Sequence, residues 1–428
     1  MCEEGRIISG IPRLDHIPAY EEFLNDYLRA NRPCILPAAL VSHWPARRWA
    51  DTGEGPSTAG SSDEPSADLG KAFDVLAAKF GDYTTPVVLS GPGAANEEEE
   101  EKAYGREERE EMKLEEAVKL LRSGRASYVK DFHLVQQLEQ RGAKREEVYT
   151  TPCLFADDWT NNVGLGEDDF RFCYAGVKGS GTSLHRDDTS YSWSTNIIGR
   201  KRWRFFPAQV IPGLRRFPQV VTSQTAASVS QLDEAAALGQ LGPVRDGKMG
   251  FEDWQWARKY CIEIEQKEGE TIFVPSNWYH EVLNLDHCIS LNHNWINSNN
   301  LLSVFHSLCG AIEATKEALV DVRDLLQSAD QMNRTVSWKK GWYEQVIGVV
   351  EMDQGWAWPG FWRMTRKALE HPPAESHLRP PDAEVQAIVA NCLNLFASRE
   401  ETSFLASQVI EDAAYCGQFV GQTFATSN

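Results

Sequence analysis

The sequence predicts a mostly β core set between a mixed α/β N-terminal segment and a helical C-terminal segment. Three observations predict it. Short β-rich stretches recur between Ser127 and Trp295, as ASYVKDFHL, VYTTPCLF, FRFCYAGV, RWRFFPA, CIEIEQ, TIFVP and CISLNHNW, punctuated by Gly, Pro and Asp. Regular short strands of this kind build a barrel or a sandwich. From residue 299 onward the apolar residues switch to helical spacing, in LLSVFHSLCGAIEATKEALVDVRDLL, GWYEQVIGVV and EVQAIVANCLNLFAS. No internal repeat interrupts this order. The expected division is 1–126, 127–298 and 299–428.

In the first segment, Ile11, Leu14, Tyr20, Phe23, Tyr27 and Leu28 have helix-like spacing. Cys34-Ile35-Leu36, flanked by Pro33 and Pro37, reads as a brief strand entering the core. Residues 51–68 are rich in Gly, Ser, Pro and Asp and read as a surface loop. The acidic run at 93–113 reads as a solvated loop that turns helical toward EEAVKLLRSG, with Gly124 as the stop. It is either a solvated insert or a docking surface for a basic partner. Within the β core, 208–258 is less regular and carries a helical piece near SQLDEAAAL. In the last segment Trp338, Trp342, Trp356, Trp358 and Trp362 are expected to pack as core against the barrel, a partner surface being the alternative. These helices close the barrel or form a homodimer.

Composition narrows the function classes. The chain has 428 residues, 42% hydrophobic and 25% charged, enough for a sizeable core. Its net charge of −19 lacks the electrostatic footprint of a nucleic-acid binder. It contains no long uncharged apolar run for a membrane span and no secretory h-region after MCEEGRIISG. None of the nine cysteines stands at CxxC spacing, which argues against a zinc module or a stapled scaffold. Reduced core thiols in the cytosol or nucleus are expected.

The candidate chemistry lies in the β core. KGSGTSLHRDDTSYSW places His185 and Asp187 two residues apart, so on a strand both face one side. GETIFVPSNWYHEVLNL presents His280 at the end of an apolar strand, 95 residues beyond His185. Two imidazoles and one carboxylate on one face of a metal leave open positions opposite, the arrangement of non-haem iron(II) oxygenases. The alternative for His280 is a turn histidine satisfied by backbone. In GRKRWRFFP, strand alternation sends Lys201 to the face opposite Arg200, Arg202 and Arg204. A cation facing a barrel interior needs an anion there, which a dicarboxylate would supply; the alternative is a surface strand with four solvated cations. In CISLNHNW the same alternation groups Cys288, Ser290, Asn292 and Asn294 on one face and Ile289, Leu291 and His293 on the other. Buried amides there could hold a carboxylate, or the asparagines could simply mark an edge strand.

SGTSLHRDDTSYSWSTNIIGRKRWRFFP followed by GETIFVPSNWYHEVLNLDHCISLNHNW resembles the JmjC, cupin-like family of iron(II)- and 2-oxoglutarate-dependent oxygenases. The resemblance covers 127–297, with a similar lead-in at 31–36. Within the family, SYVKDFHL, DDFRFCYAG and SWSTNIIGRKRW resemble the JmjC domain-containing protein 4 group. The resemblance implies a double-stranded β-helix with Fe(II) at its mouth and 2-oxoglutarate and dioxygen as co-substrates. It implies His185, Asp187 and His280 as metal ligands and catalytic residues. Lys201 is implied to pair with the distal carboxylate of 2-oxoglutarate, joined by Thr182 and by Tyr128 of SYVKDF. Asn294, with Asn292 beside it, is implied as a further co-substrate contact. An asparagine found in some relatives falls on Ser192 or Ser194 here, with Asn196 the one amide nearby.

The function implied by this resemblance is that of a protein hydroxylase, its target a lysine side chain in the eukaryotic translation termination (release) factor. The alternatives are an N-methyl-lysine demethylase and a non-catalytic cupin-like binding protein. Demethylases of the family commonly carry zinc-bearing segments, which the cysteine spacing does not offer. A protein substrate, no nucleic acid, no membrane and a homodimer through the C-terminal helices complete the expectation.

Overall fold

The computed structural model describes residues 10–50, 69–89, 108–162, 170–187, 190–220, 223–333 and 338–421. The expected loop at 51–68 and most of the acidic run at 93–113 lie outside them. Among the described residues are twelve strands: β1 (Cys34–Leu36), β2 (Thr84–Leu89), β3 (Arg109–Lys113), β4 (Ala126–Phe132), β5 (Arg171–Gly176), β6 (Gly181–His185), β7 (Tyr191–Ile198), β8 (Lys201–Phe206), β9 (Ile262–Gln266), β10 (Thr271–Val274), β11 (Tyr279–Asn284) and β12 (Cys288–Trp295). No described helix is long and apolar enough to cross a membrane.

The strands form an eight-stranded sheet ordered β1-β10-β7-β12-β5-β4-β2-β3 and a four-stranded sheet ordered β6-β11-β8-β9. From β5 the chain alternates between them: β5, β7, β10 and β12 lie in the large sheet, and β6, β8, β9 and β11 in the small one. Every strand pairing is antiparallel. That alternation is the winding of a double-stranded β-helix, as the JmjC resemblance implied. The two sheets face each other, because Ile272 and Val274 of the large sheet share one core with Trp203, Phe205 and Val282 of the small one.

The strands of the large sheet that lie between the two cores are covered on both faces. β7 is buried along its whole length. Its outward residues Trp193 and Ile197 join Leu291 and Phe273 beneath the N-terminal helices, in a core that includes Phe23, Trp44, Phe155 and Val118. The outer face of the small sheet is covered by residues 208–258, where Leu184 and Phe206 pack on Val210, Val229 and Trp254. The expected helical piece there spans Val229–Ala237.

Two expectations are corrected. VYTTPCLF is not a strand: Cys153–Phe155 is a short 3₁₀ turn. Pro152 lacks a ladder donor, and Tyr149 and Phe155 turn inward to pack on Trp193. The end of the acidic run is not a loop, since Arg109–Lys113 pairs with β2 as an edge strand. Its charges suit a solvated edge. The following helix, Leu114–Arg122, buries Leu114, Ala117, Val118 and Leu121, one face of a 3.6-residue period. It ends before Gly124, whose φ of 69° only glycine adopts freely. The tryptophan-rich helices build a core of their own. Trp342, Trp358 and Trp362 are buried with Leu308, Val389 and Phe396, and two residues at the barrel's end, Trp159 and Ile296, belong to it.

Candidate metal and co-substrate site

β6 and β11 are hydrogen-bonded partners, with His280 opposite His185. Residues directly opposite in an antiparallel pair share a face, so the 95-residue gap in sequence closes to a ring-centroid distance of 4.3 Å. Asp187 follows β6 by two residues. Its Oδ1 lies 3.8 Å from His185 Nε2 and its Oδ2 3.9 Å from His280 Nε2. One ligand atom from each of the three residues lies within 4.8 Å of the others, the one such cluster among the described residues.

The imidazoles are fixed in the required tautomer. His185 Nδ1 is 2.7 Å from the Ser183 carbonyl and His280 Nδ1 is 3.1 Å from the Trp278 carbonyl. A carbonyl only accepts, so each Nδ1 carries the proton and each Nε2 lone pair faces Asp187. Trp203 and Phe205 flank the His280 ring at 5.5 and 5.8 Å. Burial, with His185 beside it, pushes His280 down to about 4 and keeps it neutral at pH 7. Neutral imidazoles around a carboxylate are a donor set suited to a divalent first-row metal. His185, more than a third exposed, marks the mouth.

A bulge places Thr182. Along β11, His280 and Val282 are two apart and face inward, yet they pair with His185 and Thr182, which are three apart. The extra residue in β6 returns Thr182 to the face of His185 despite the odd spacing.

Deeper in the barrel, Lys201 is 2% exposed and donates to Ser290 Oγ at 2.6 Å. Arg204, on the opposite face, pairs with Glu263 and Glu281, so alternation holds as expected. Among the described residues no carboxylate lies within ion-pair distance of Lys201. Burial pushes its ammonium down to about 8. The ring of Tyr174 lies 5.9 Å from Lys201 Nζ, and its hydroxyl donates to Asp131 Oδ1 at 2.8 Å. Burial, with the charge of Asp131 beside it, pushes the Tyr174 phenol well above its ordinary value. Tyr128 packs beside it at 5.8 Å with the rings tilted by 36°, close to Gly176. Lys201 and the residue opposite His280, Phe205, lie four positions apart on one face of β8, a span of about 13 Å along the strand. A buried cation without an anion at one end and a ligand cluster at the other fit a metal-chelating dicarboxylate.

The asparagines divide. Asn292 accepts from Ser194 Oγ at 3.0 Å. Asn294 donates to Asp187 Oδ1 at 3.4 Å, so its amide meets the metal carboxylate. Asn196 is buried and donates to the Gly199 carbonyl, closing the β7–β8 turn. Ser192 lies opposite Asn294 across the ladder. Sequence reasoning put Ser290 on the face of Asn292 and Asn294 without giving it a role, and it passed over Tyr174 and Asn284. Tyr174 sits on a strand the sequence had identified, so alternation within FRFCYAGV could have found it, whereas Asn284 lies on β11, a strand the sequence reading did not identify.

The chain is similar to the 2-oxoglutarate and iron-dependent oxygenase JMJD4 of Mus musculus, 31% identical over 313 residues that cover 72% of this chain and 65% of that one. The protein of that name from Homo sapiens is 32% identical, with 72% and 66% covered. The arginine-specific demethylase JMJ20 of Arabidopsis thaliana is 30% identical, with 72% and 61% covered. This chain thus spans just under two thirds of each of these relatives. Residues 20–301, a stretch that contains all twelve strands and the His-Asp-His cluster, match the family described as the cupin-like domain, and the chain belongs to that family.

Proposed function

We propose that this protein is an Fe(II)- and 2-oxoglutarate-dependent protein hydroxylase that acts on a lysine side chain of the eukaryotic release factor. The observation that carries the oxygenase reading is the pairing, inside one barrel, of the His185–Asp187–His280 cluster with a buried Lys201 that has no anion of its own among the described residues. His185 and His280 would hold iron through Nε2 and Asp187 through a carboxylate oxygen. Iron and 2-oxoglutarate together supply oxidation of a C–H bond by dioxygen. The chain's own residues do the rest. Lys201 and Ser290 receive the far carboxylate of the co-substrate, with Thr182 on the same inner face. Tyr174 and Tyr128 wall the chamber and limit its length. Trp203 and Phe205 keep water from His280. The open side at His185 admits the target carbon, and positioning that carbon selects the reaction.

The lysine and the release factor rest on the resemblance to the JmjC domain-containing protein 4 group. Under this reading the enzyme works in the cytosol, where a release factor acts. A homodimer through the C-terminal helices belongs to the same reading, supported by the exposed Leu325 and Met352 on them. One observation favours a second reaction, N-methyl demethylation: a relative 30% identical to this chain is named an arginine-specific demethylase. The test is mass spectrometry of the release factor after incubation with the protein, Fe(II), ascorbate and 2-oxoglutarate, with His185→Ala as control. A lysine peptide gaining one oxygen with the wild type alone supports hydroxylation. Loss of a methyl group from a methylated peptide, with no oxygen gained, replaces it by demethylation. No 2-oxoglutarate consumption by protein that holds iron leaves a binding role.

A further inference from the structure

β12 outruns its neighbour. Its ladder with β5 ends at His293–Arg171, and the Asn294 N–H then reaches the Phe170 carbonyl at 2.9 Å. Beyond that point the remaining polar groups on this side of the strand need other partners. The segment Asp157–Asn161 supplies them. Asn161 Nδ2 donates to the Asn294 carbonyl at 3.0 Å. The Ile296 N–H donates to Thr160 Oγ1 at 3.0 Å, and the Trp159 N–H donates to the Ile296 carbonyl at 2.8 Å. Asn161 is itself held: its N–H and its Nδ2 donate to the two oxygens of Asp158, each at 2.8 Å. Asp158 is 3% exposed, and its Oδ2 stands 4.0 Å from His293 Nδ1. The other nitrogen of that ring is hydrogen-bonded to the Tyr149 hydroxyl.

The strand end held in this way carries Asn294, whose amide donates to the metal carboxylate. The geometry points to Asp158 and Asn161 as positioning residues for the metal centre: they clip the end of β12, fix the Asn294 amide, and through it set the orientation of Asp187. The inference rests on the metal reading of the triad and adds to it a path that starts in the DDWTN stretch, a part of the sequence outside every motif of the site. The clip also explains why a polar, buried Asp158 is retained beside an apolar core, since its carboxylate is what orders the Asn161 amide.

Titration with Co(II), followed by its visible absorption in the full-length apoprotein, tests this. Wild type, Asn161→Ala, Asn161→Ser, Asn294→Ala and the Asn161→Ala/Asn294→Ala pair are compared, with thermal melting of each. The serine variant serves if the alanine variant does not fold. Outer-shell partners of metal ligands typically contribute 10- to 100-fold in affinity. Each single variant should therefore raise the Co(II) Kd about tenfold, with altered absorption bands. The pair should be no weaker than Asn294→Ala, because both act on one carboxylate. Trp358→Phe, which loosens the helical core, should lower the melting temperature and leave the Kd alone. Wild-type affinity in both Asn161 variants overturns the clip, as does a double variant at the product of the two losses. So does a Trp358→Phe loss equal to that of Asn161→Ala, which would mark general loosening. If the wild type takes up no Co(II), the metal reading falls and the clip with it.

Discussion

At the scale of single residues, the barrel holds two opposite solutions to burying polar groups. His280 is buried and neutral, fixed by the Trp278 carbonyl. Lys201 is buried with one hydroxyl partner and, among the described residues, no counter-charge, which is costly for the empty protein. Its folded pKa of about 8 lies below the ordinary 10.5. Between those values the unfolded chain binds more protons than the folded one, so the stability of the protein without co-substrate should rise as pH climbs from about 8 to 10.5. Lys201→Met should remove that rise and leave the co-substrate-free protein as stable as wild type or more so, which urea titration at pH 7.5 and 10 would check. A dicarboxylate reverses the balance. Its affinity should fall as Lys201 deprotonates above about pH 8, and Lys201→Met should weaken it about 10- to 100-fold, the loss of one charge-assisted contact. Isothermal titration of 2-oxoglutarate with Mn(II) as the metal measures both, and a pH-independent affinity, unchanged in Lys201→Met, would refute the role. For His185→Ala and Asp187→Ala the expected outcome is loss of metal uptake and of 2-oxoglutarate turnover in a folded chain, since both residues sit toward the mouth rather than in an apolar core. Turnover at the wild-type rate in either would remove them from the centre.

At the scale of elements, backbone close approach decides how the chamber is shaped. A Cβ on Gly176 would lie 2.4 Å from Asn284 Nδ2, 2.5 Å from Ser180 Oγ and 2.6 Å from Tyr128 Cδ2. Gly176→Ala should therefore cost about 2 kcal/mol in overpacking and push Tyr128 away from its contact with Tyr174, weakening 2-oxoglutarate more than metal. Equal stability to wild type, measured by chemical denaturation, would show that the site yields more than its packing suggests. The strands themselves were largely legible. β5, β8, β9, β10 and β12 coincide with the aromatic and β-branched stretches, and alternation set Lys201 apart from its flanking arginines and grouped Ser290, Asn292 and Asn294 on one face. What the sequence did not carry was pairing. Nothing local says that β6 faces β11, and the bulge that turns Thr182 inward is visible only in the register of that pair. VYTTPCLF shows the opposite failure. Its residues have strand propensity, but the core needed Tyr149 and Phe155 as plugs over Trp193, and tertiary packing overrode local preference. Asn294 donates to Asp187, a neighbour that the sequence did not indicate. Alternation fixes a side chain's face, whereas which group it meets depends on how Asp187 leaves β6.

At the scale of the whole molecule, the tryptophan-rich helices are joined to the barrel through its own residues. Trp159 and Ile296 flank the end of β12 and are buried in the same core as Trp358, Trp362 and Phe396. Glu401, 1% exposed, ties this core together through Arg399, Lys316 and the Trp358 indole. An independent helical domain would have its own closed core and would melt separately. A core that incorporates residues bonded to the last barrel strand should melt with it, because losing the helices strips Trp159 of its packing and frees the strand end that carries Asn294. Trp358→Ala tests the distinction. Its indole is fully buried, and truncation there should cost about 3–5 kcal/mol. Calorimetry of the full chain is expected to show one transition that shifts as a whole in the variant, with Co(II) raising its midpoint in both proteins. A split trace, with an early helical transition and a barrel transition that alone responds to Co(II), would mean that the helices are an appended domain. In the coupled case, the buried tryptophans of the C-terminal segment stabilise the barrel as a whole, and the milder Trp358→Phe lowers the melting temperature without changing the Co(II) Kd.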